Sequence, residues 1–415
     1  MSMVEDLCRR AHAVRLAVQE LNTETKNAAL RNAADALEQH AGEILEANNV
    51  DLVQARENGM KESMVDRLTL TKERIAQMAK GLRQVANLPD PVGEVLDDFT
   101  RPSGIRIRKV RVPFGVIGII YESRPNVTAD AFALTFKSGN AVVLKGGSDA
   151  ICSNTAITKV LRDSLTASGV PADAVNLIES TDRKDTAEFL TMRDYVDVMI
   201  PRGSAGLIRM VVENSRIPVI ETGSGNCHIY VDKDADLDKA IPIIINAKTQ
   251  RTGVCNAAES LVVHRDIMDR FMPRFAEAMK EYHVRLHADD ESRPFLPGAA
   301  PATEEDFAKE YLDLDLSVKT VGSVQVAIDH INRYHTQHSD CIITENKEVA
   351  DLFLRLVDSA CVYVNASTRF TDGFEFGFGA EIGISTQKLH ARGPMGLKEL
   401  TSYKYLITGD GQIRH

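Results

Sequence analysis

The chain has 415 residues, which is long enough for two or three domains that each bury a substantial core. Its formal net charge of −10 argues against nucleic acid or an anionic membrane as the main partner, because like charges repel. The 6 cysteines and 11 histidines show no C-x-x-C, no H-E-x-x-H and no other metal-ligand spacing, so we expect reduced thiols in a cytoplasmic protein without a metal site.

The N-terminal part of the chain is expected to form helices. Charged residues among 1–10 stand where a secretion signal would be apolar, and no apolar run reaches the length of a membrane span. Apolar side chains recur at helical spacing through residues 4–90, which predicts a helical layer. Residues 105–112 then alternate apolar and basic side chains, a pattern typical of a strand with one solvated face.

Strands and helices alternate from residue 113 to about residue 228, which predicts a mainly parallel sheet with crossover helices. Ligands of such sheets bind beyond the carboxyl ends of the strands. The loops at these ends are small, polar or basic, so that their backbone can approach a phosphate at a helix N-terminus. Neither G-x-G-x-x-G nor a Walker sequence is present. The loops lie at residues 121–126, 145–149, 201–206 and 221–225.

A second portion of alternating strands and helices, residues 229–365, contains the candidate nucleophile Cys255. A helix is predicted over 236–248 and a buried strand over 260–264. We therefore expect Cys255 on a tight turn, whose unpaired amide N–H groups can bind a developing oxyanion.

Two basic residues lie close to this cysteine in sequence, namely Lys248 and Arg251. Their positive charge is expected to favour the thiolate, which is the reactive form of the thiol. A half-buried structural cysteine is the alternative interpretation of Cys255.

Residues 402–408 form another predicted strand, which like 105–112 has no partner in either predicted sheet. An exposed ribbon is an edge that must be covered, so both strands are expected to build an arm that joins subunits. The predicted organisation is a cofactor-binding domain over 1–228, a catalytic domain over 229–400 and an oligomerisation strand over 401–415.

Long sequence motifs carry a resemblance to a known family. The chain resembles the gamma-glutamyl phosphate reductases, a branch of the aldehyde dehydrogenase superfamily. The resemblance implies an α/β fold with two Rossmann-like parallel-sheet domains and a small β-arm for oligomerisation. The motifs are residues 113–128, 246–251 with the following Cys255, 336–340, 364–373 and 385–396.

The resemblance also implies an activity. Members of the family reduce L-glutamyl 5-phosphate with NADPH to glutamate 5-semialdehyde, a cytoplasmic step of proline biosynthesis. A homo-oligomer, dimer or tetramer, is implied, with the upstream glutamate kinase as a further candidate partner. Neither nucleic acid nor a membrane is expected to take part.

Residue roles follow from the same resemblance. Cys255 would be the nucleophile, and Asn126 would stabilise the tetrahedral oxygen together with the Cys255 main-chain N–H. Lys145 would hold the cofactor ribose and 2′-phosphate, Ser204 would lie near the pyrophosphate, and Asp313 would hold the nicotinamide ribose. The expected cofactor-binding residues are Lys145, Gly146, Ser148, Gly203, Ser204 and Asp313.

An acidic protein needs local positive charge to bind a doubly anionic substrate. The loop 365–371 offers Arg369 among hydroxyl groups, so Ser367, Thr368 and Arg369 are expected to bind the substrate, with Arg251 as a further candidate. The alternative is that Arg369 pairs with Asp372 on a surface loop.

Two other functions stay open at this point. Glu221 stands near the position of the base that deacylates hydrolytic aldehyde dehydrogenases, which favours a hydrolytic enzyme as an alternative. The other alternative is a catalytically silent dinucleotide-binding regulator, against which the Cys255 and Asn126 pair argues.

Overall fold

A computed structural model describes residues 1–414, with the side chain of Ser63 left aside. The chain divides into two units. Unit 1 contains Met1–Glu221, Gly377–Gly383 and the tail from Met395, and unit 2 contains Thr222–Phe376 and Ile384–Pro394.

This division differs from the predicted domains. It falls at 221/222 rather than 228/229, because the strand that starts at Cys227 belongs to the sheet of unit 2. Residues 377–383 and those from Met395 return to unit 1, where the Ile382 N–H donates to the Met395 carbonyl at 2.9 Å.

Helices open unit 1, in agreement with the layer predicted for residues 4–90. Ser2, Asn22 and Thr71 begin three of them by accepting a main-chain N–H in the first turn, which satisfies a donor that has no partner within the helix. The helices are α1 Met3–Gln19, α2 Thr23–Gln39, α3 Ala41–Glu57, α4 Glu62–Leu68, α5 Lys72–Asn87, α6 Asn126–Lys137, α7 Ile151–Ala167, α8 Arg183–Phe189 and α9 Ala205–Asn214.

The parallel sheet of unit 1 has the strand order β5-β4-β3-β6. This order reverses between β3 and β6, so the crevice beyond their carboxyl ends is where a doubly wound sheet binds its ligand. Beside β6, Val219 makes an isolated bridge to Met199. The strands so far are β1 Val95–Thr100, β2 Arg106–Pro113, β3 Val116–Tyr121, β4 Ala141–Lys145, β5 Val175–Leu177 and β6 Val198–Arg202.

Unit 2 contains a second parallel sheet of order β10-β9-β11-β8-β7-β12-β13. Its strands are β7 Cys227–Val231, β8 Ala258–His264, β9 Arg285–Ala288, β10 Ala300–Pro301, β11 Asp315–Val321, β12 Ser339–Ile343 and β13 Cys361–Val364, followed by a short hairpin of β14 Ile384–Ser385 and β15 Gly393–Pro394. Its helices are α10 Leu237–Thr249, α11 Met268–Glu281, α12 Glu304–Ala308, α13 Val324–Tyr334 and α14 Lys347–Leu356.

Helices cover both faces of this second sheet. Leu261 and Val263 of β8 pack in the same core as Phe271 of α11, whereas the intervening Val262 packs with Phe353 of α14. Because successive side chains of a strand point to opposite faces, a continuous apolar run is what a sheet buried on both sides requires. Each fully buried side chain of this size contributes about 1.5–3 kcal/mol.

The last strand, β16 Thr401–Thr408, corrects the prediction of two unpartnered ribbons. It pairs antiparallel with β2 from Thr401 opposite Pro113 to Thr408 opposite Arg106. The strand β1 pairs with the other edge of β2 and was not predicted, since its side chains are exposed throughout and show no apolar alternation. Within residues 1–414 no helix is long and apolar enough to cross a membrane.

Candidate active site

Cys255 lies, as predicted, on a turn between a helix and a buried strand. The Asp236 carboxylate caps α10, and β8 begins two residues earlier than expected, at Ala258. Between them the Ala257 N–H donates to the Val254 carbonyl at 3.1 Å and closes the turn. Cys255 is partly buried there.

Two residues at or just before the start of β7, Cys227 and Gly225, contact the main chain of Cys255. The Cys227 thiol donates to the Cys255 carbonyl at 3.2 Å. A Cβ atom at Gly225 would lie 1.4 Å from the same carbonyl oxygen, so no residue other than glycine fits without moving the turn. The Gly225 N–H in turn donates to Glu310 Oε1 at 2.7 Å. These contacts were not predicted, because they join residues about thirty or more positions apart.

A buried network lies behind Cys227. Its sulfur is 3.8 Å from His338 Nδ1, which is 2.8 Å from Ser339 Oγ, and Ser339 Oγ is 2.6 Å from Thr371 Oγ1. Burial lowers the pKa of His338 to about 4 and raises the pKa of Cys227 well above its ordinary value. Both groups are therefore neutral near pH 7, and the network positions the turn without carrying charge.

Asn256 joins the nucleophile turn to the predicted substrate loop. Its amide donates to the Thr371 carbonyl at 2.9 Å, and its main-chain carbonyl accepts the Thr368 hydroxyl at 2.8 Å. Thr368 is fully buried, so its hydroxyl supports the loop, contrary to the predicted substrate contact. The Ser367 oxygen accepts the Arg369 N–H at 3.3 Å and caps the following short turn, and its contact with the substrate stays a prediction.

The structure brings Arg369, Arg251 and Cys255 into one electrostatic neighbourhood. The Arg369 Nε donates to Gln250 Oε1 at 2.9 Å. Burial lowers the pKa of Arg369 from its ordinary value, and the adjacent charge of Arg251 adds to this, opposed by Asp372 and Cys255. No ion pair joins Arg369 to Asp372 in residues 1–414, which differs from the alternative interpretation of this loop.

Lys248 does not serve Cys255 as predicted. Its ammonium is fully buried and lies 2.6 Å from Glu259 Oε2 and 2.9 Å from the Ala258 carbonyl. The reason is geometric, because this residue of the last turn of α10 faces the first residues of β8. Burial raises the pKa of Glu259 and lowers that of Lys248.

Asp313, predicted to hold the nicotinamide ribose, forms an exposed ion pair with Arg285, and its role stays a prediction. Its exposed carboxylate accepts a hydrogen bond from Arg285 at 2.9 Å, and Arg285 also pairs with Asp315. The acidic residue that contacts the site is Glu310, through Gly225, and burial raises its pKa. Sequence spacing alone does not separate these acids, since both occur within one short polar segment.

The site of unit 2 lies at the amino ends of parallel strands. Gly225, Cys255 and His338 directly precede or closely approach the starts of β7, β8 and β12. The general rule for such sheets, which places ligands at the carboxyl ends, therefore does not apply to this unit.

The first of the predicted cofactor-binding residues in unit 1 is Lys145, the last residue of β4. Its side chain is 5% exposed, its Nζ lies 3.3 Å from the Gly146 carbonyl, and burial lowers its pKa. A Cβ at Gly146 would lie 2.2 Å from Asn154 Nδ2, so this glycine is required by packing. Ser148 is exposed at the start of the following turn.

The predicted loop at residues 201–206 is hydrogen-bonded to Glu122, a residue that was not predicted as part of the site. Its carboxylate accepts the Ser204 N–H at 2.8 Å and the Ser204 hydroxyl at 2.7 Å, at the N-terminus of α9. A Cβ at Gly203 would lie 2.7 Å from this carboxylate. A carboxylate thus takes the position that helix N-termini offer to anions, and Ser204 can serve a pyrophosphate only if Glu122 releases it.

The remaining candidates of unit 1 are Asn126 and Glu221. Asn126 is exposed at the start of α6, and its amide donates to Asp130 Oδ2 at 3.0 Å. Burial raises the pKa of Asp130 to about 6. Glu221 is the last residue of this part of unit 1. In residues 1–414 no group of His, Cys, Asp or Glu side chains is arranged to hold a metal ion.

Comparison with known proteins identifies the family. The model of the aldehyde dehydrogenase family matches residues 2–296. The gamma-glutamyl phosphate reductases of Agathobacter rectalis and Moorella thermoacetica are 57% and 56% identical, over 100% and 98% of this chain and 100% and 97% of their own. The crystal structure of gamma-glutamyl phosphate reductase from Thermotoga maritima is 49% identical with a TM-score of 0.98, and 100% of each chain is covered. The chain therefore belongs to the gamma-glutamyl phosphate reductases of the aldehyde dehydrogenase family.

Proposed function

We propose that the chain reduces L-glutamyl 5-phosphate with NADPH to L-glutamate 5-semialdehyde and phosphate, in proline biosynthesis. The observation that carries this proposal is Cys255 itself, a partly exposed thiol on a turn fixed from behind, with the guanidinium groups of Arg251 and Arg369 in its neighbourhood. Such a site suits acyl transfer from an anionic substrate.

The proposed reaction divides into two steps on Cys255. The thiolate attacks the acyl carbon, the C–O bond to phosphate breaks, and a thioester forms. NADPH, when bound, would supply the hydride that reduces the thioester carbon. The resulting thiohemiacetal oxyanion collapses, which releases the aldehyde and the thiolate. Main-chain N–H groups of the turn are suited to bind the oxyanion, and the same role for Asn126 stays a prediction.

A direct test is the reverse reaction. Oxidation of glutamate 5-semialdehyde with NADP⁺ should require inorganic phosphate, because phosphate is the nucleophile that releases the acyl group from Cys255. The hydrolytic alternative through Glu221 is not favoured by the comparisons. Phosphate-independent formation of glutamate would contradict the proposal.

A cofactor of the NAD(P) type goes with the family. We assign its 2′-phosphate to Lys145, since a buried ammonium with one long hydrogen bond retains donors for a phosphate. Lys145→Ala should raise the Kd of NADPH, measured by quenching of its fluorescence, more than that of NADH. The exposed Lys159→Ala in α7 is the control. Equal effects on both cofactors would assign Lys145 to a group that they share.

A homo-oligomer is also proposed, built through the sheet of β1, β2 and β16. Tyr403, Tyr405 and Ile407 are about half exposed or more on β16, although they are large and apolar. An exposed apolar face of this kind is typical of a subunit contact. The contact with glutamate kinase and the cytoplasmic location stay predictions.

A further inference from the structure

We infer that Arg251 and Arg369 bind the phosphate group of the acyl phosphate, and not the α-carboxylate at the other end of the substrate. This inference rests on the proposed function and assigns one part of its substrate to one pair of residues. It also applies to the reverse reaction, in which the same pair would bind inorganic phosphate.

The first support is the attachment of Arg369 to the nucleophile turn. Asn256, the residue after Cys255, donates to the Arg369 carbonyl at 3.4 Å and to the Thr371 carbonyl at 2.9 Å. Its own carbonyl accepts the Thr368 hydroxyl at 2.8 Å. The turn that presents Arg369 is therefore joined directly to the turn that presents Cys255, and the two should keep a constant spacing.

The second support is the orientation of the guanidinium. Gln250 Oε1 holds Arg369 Nε at 2.9 Å, whereas Nη1 and Nη2 make no hydrogen bond with any residue in the range 1–414. Fixing Nε leaves the terminal N–H groups for a ligand, and this planar fork matches the oxygens of a phosphate. Arg251 directly follows Gln250, beyond the end of α10, so the second guanidinium starts from the same point of the chain.

The third support is the balance of charge. Neither arginine has an ion pair within the described 1–414 range, and the nearby Lys248 is occupied by Glu259. Burial lowers the pKa of Arg369, and the charge of Arg251 lowers it further, whereas Asp372 raises it. A phosphate group carries roughly −1.5 to −2 near pH 7 and matches this pair. The α-carbon end of the substrate carries an ammonium beside its carboxylate, so its net charge is close to zero and the arginines would repel the ammonium.

The fourth support is the order of the bonds. Phosphate is attached to the carbon that Cys255 attacks, so its site must adjoin the thiol, whereas the α-carboxylate lies several bonds away. Arg369 is electrostatically coupled to Cys255 as well as to Arg251. Positive charge at this place also stabilises the phosphate as it leaves. This stabilisation is stronger in the transition state than in the ground state and therefore lowers the barrier.

The test separates the two ends of the substrate. Steady-state kinetics of the reverse reaction are measured with phosphate varied at saturating semialdehyde, and then with semialdehyde varied at saturating phosphate. Arg369→Lys and Arg251→Gln should each raise the KM for phosphate by on the order of tenfold, with little change in the KM for semialdehyde. Arg274→Gln is the control, because Arg274 is an exposed arginine of α11 that pairs with Asp238 of α10.

Binding of inorganic phosphate without cofactor gives an independent readout. Isothermal titration of the wild-type protein should detect phosphate, and both variants should lose most of this affinity, while their thermal unfolding stays close to that of the wild type. Because Arg251 is exposed, its variant is expected to fold normally even if Arg369→Lys does not. A rise in the KM for semialdehyde with an unchanged KM for phosphate would overturn the inference. Absence of phosphate dependence in the wild type would instead overturn the proposed function.

Discussion

At the scale of single residues, the site depends on how the main chain of Cys255 is held. Gly225 and Cys227 contact its carbonyl from behind, and Asn256 attaches the next peptide to the loop of Arg369. None of these neighbours carries a charge, so their effect is to keep the N–H groups of the turn in one orientation. Preorganised donors of this kind cost no rearrangement during the reaction.

The nucleophile itself provides the first prediction. Cys255→Ala should abolish turnover and leave the fold intact, because removing a nucleophile normally lowers the rate by orders of magnitude. Activity is measured as phosphate-dependent reduction of NADP⁺, with circular dichroism as the measure of folding. Cys152→Ala, which changes a partly buried thiol on α7, should stay active. Retention of more than about a tenth of the rate in Cys255→Ala would remove the assignment.

The Cys227 thiol provides a second prediction. Cys227→Ala removes the donor to the Cys255 carbonyl, and a hydrogen bond of this kind contributes about 1 kcal/mol, or roughly fivefold in rate. We expect kcat and the rate of alkylation of Cys255 to fall by this factor, with KM nearly constant. Cys227→Ser keeps a donor and should recover part of both rates. If Cys227→Ala matched the wild type in kcat, the thiol would have no positioning role.

At the scale of elements, the ion pair of Lys248 and Glu259 joins α10 to β8 on either side of the nucleophile turn. Both side chains are fully buried, so each charge depends on the other. A buried pair of this type contributes less to stability than its short distance suggests, but breaking it leaves a buried charge without a partner. The pair therefore fixes how the helix end meets the strand start.

Breaking this pair gives the third prediction. Lys248→Met should destabilise the protein by about 3–5 kcal/mol in urea unfolding, whereas Lys248→Met with Glu259→Leu should lie much closer to the wild type. In the single variant the pKa of Glu259 is raised by burial, so the folded state holds a proton that the unfolded state releases. Its stability should fall as the pH rises above about 4.3 and through the raised pKa of Glu259. Equal destabilisation of the single and double variants would contradict this explanation.

At the scale of the whole molecule, the three strands β1, β2 and β16 form a sheet separate from the parallel sheets of both units. Lys109 lies 3.7 Å from the ring centre of Tyr403, and Tyr403 and Tyr405 are in edge contact at 5.8 Å. These contacts join the aromatic side chains of a face that is exposed. Such a face on a free monomer would favour nonspecific association, so a specific subunit contact is the expected role.

Changing this face gives the fourth prediction. Tyr405→Glu with Ile407→Glu should shift the protein to smaller species in light scattering, because two charges would be buried in the proposed contact. Lys404→Glu alters the neighbouring exposed position of β16 and is the control for charge. Circular dichroism should stay unchanged in both. An unaltered mass for the double variant would exclude this face from the contact.

Local sequence was sufficient to predict most of the helices and strands of this protein. The helix before Cys255, the turn itself and the strand after it could all be predicted, because capping residues, helical spacing and a short apolar run act over a few neighbouring positions. The alternation of strands and helices likewise indicated two parallel sheets. The long motifs were sufficient for the family.

Only the tertiary structure decided which polar groups meet. Lys248 is paired with Glu259, Thr368 is bonded to Asn256, and Glu122 accepts both donors of Ser204. From the sequence, Lys248 was expected to act on the Cys255 thiol, Thr368 to bind the substrate and Ser204 to lie near the cofactor. The strand β16 likewise found its partner in β2, nearly three hundred residues earlier. Each of these contacts is selected by the packing of distant segments and by the need of a buried polar group for a partner, and neither leaves a periodic trace in the sequence.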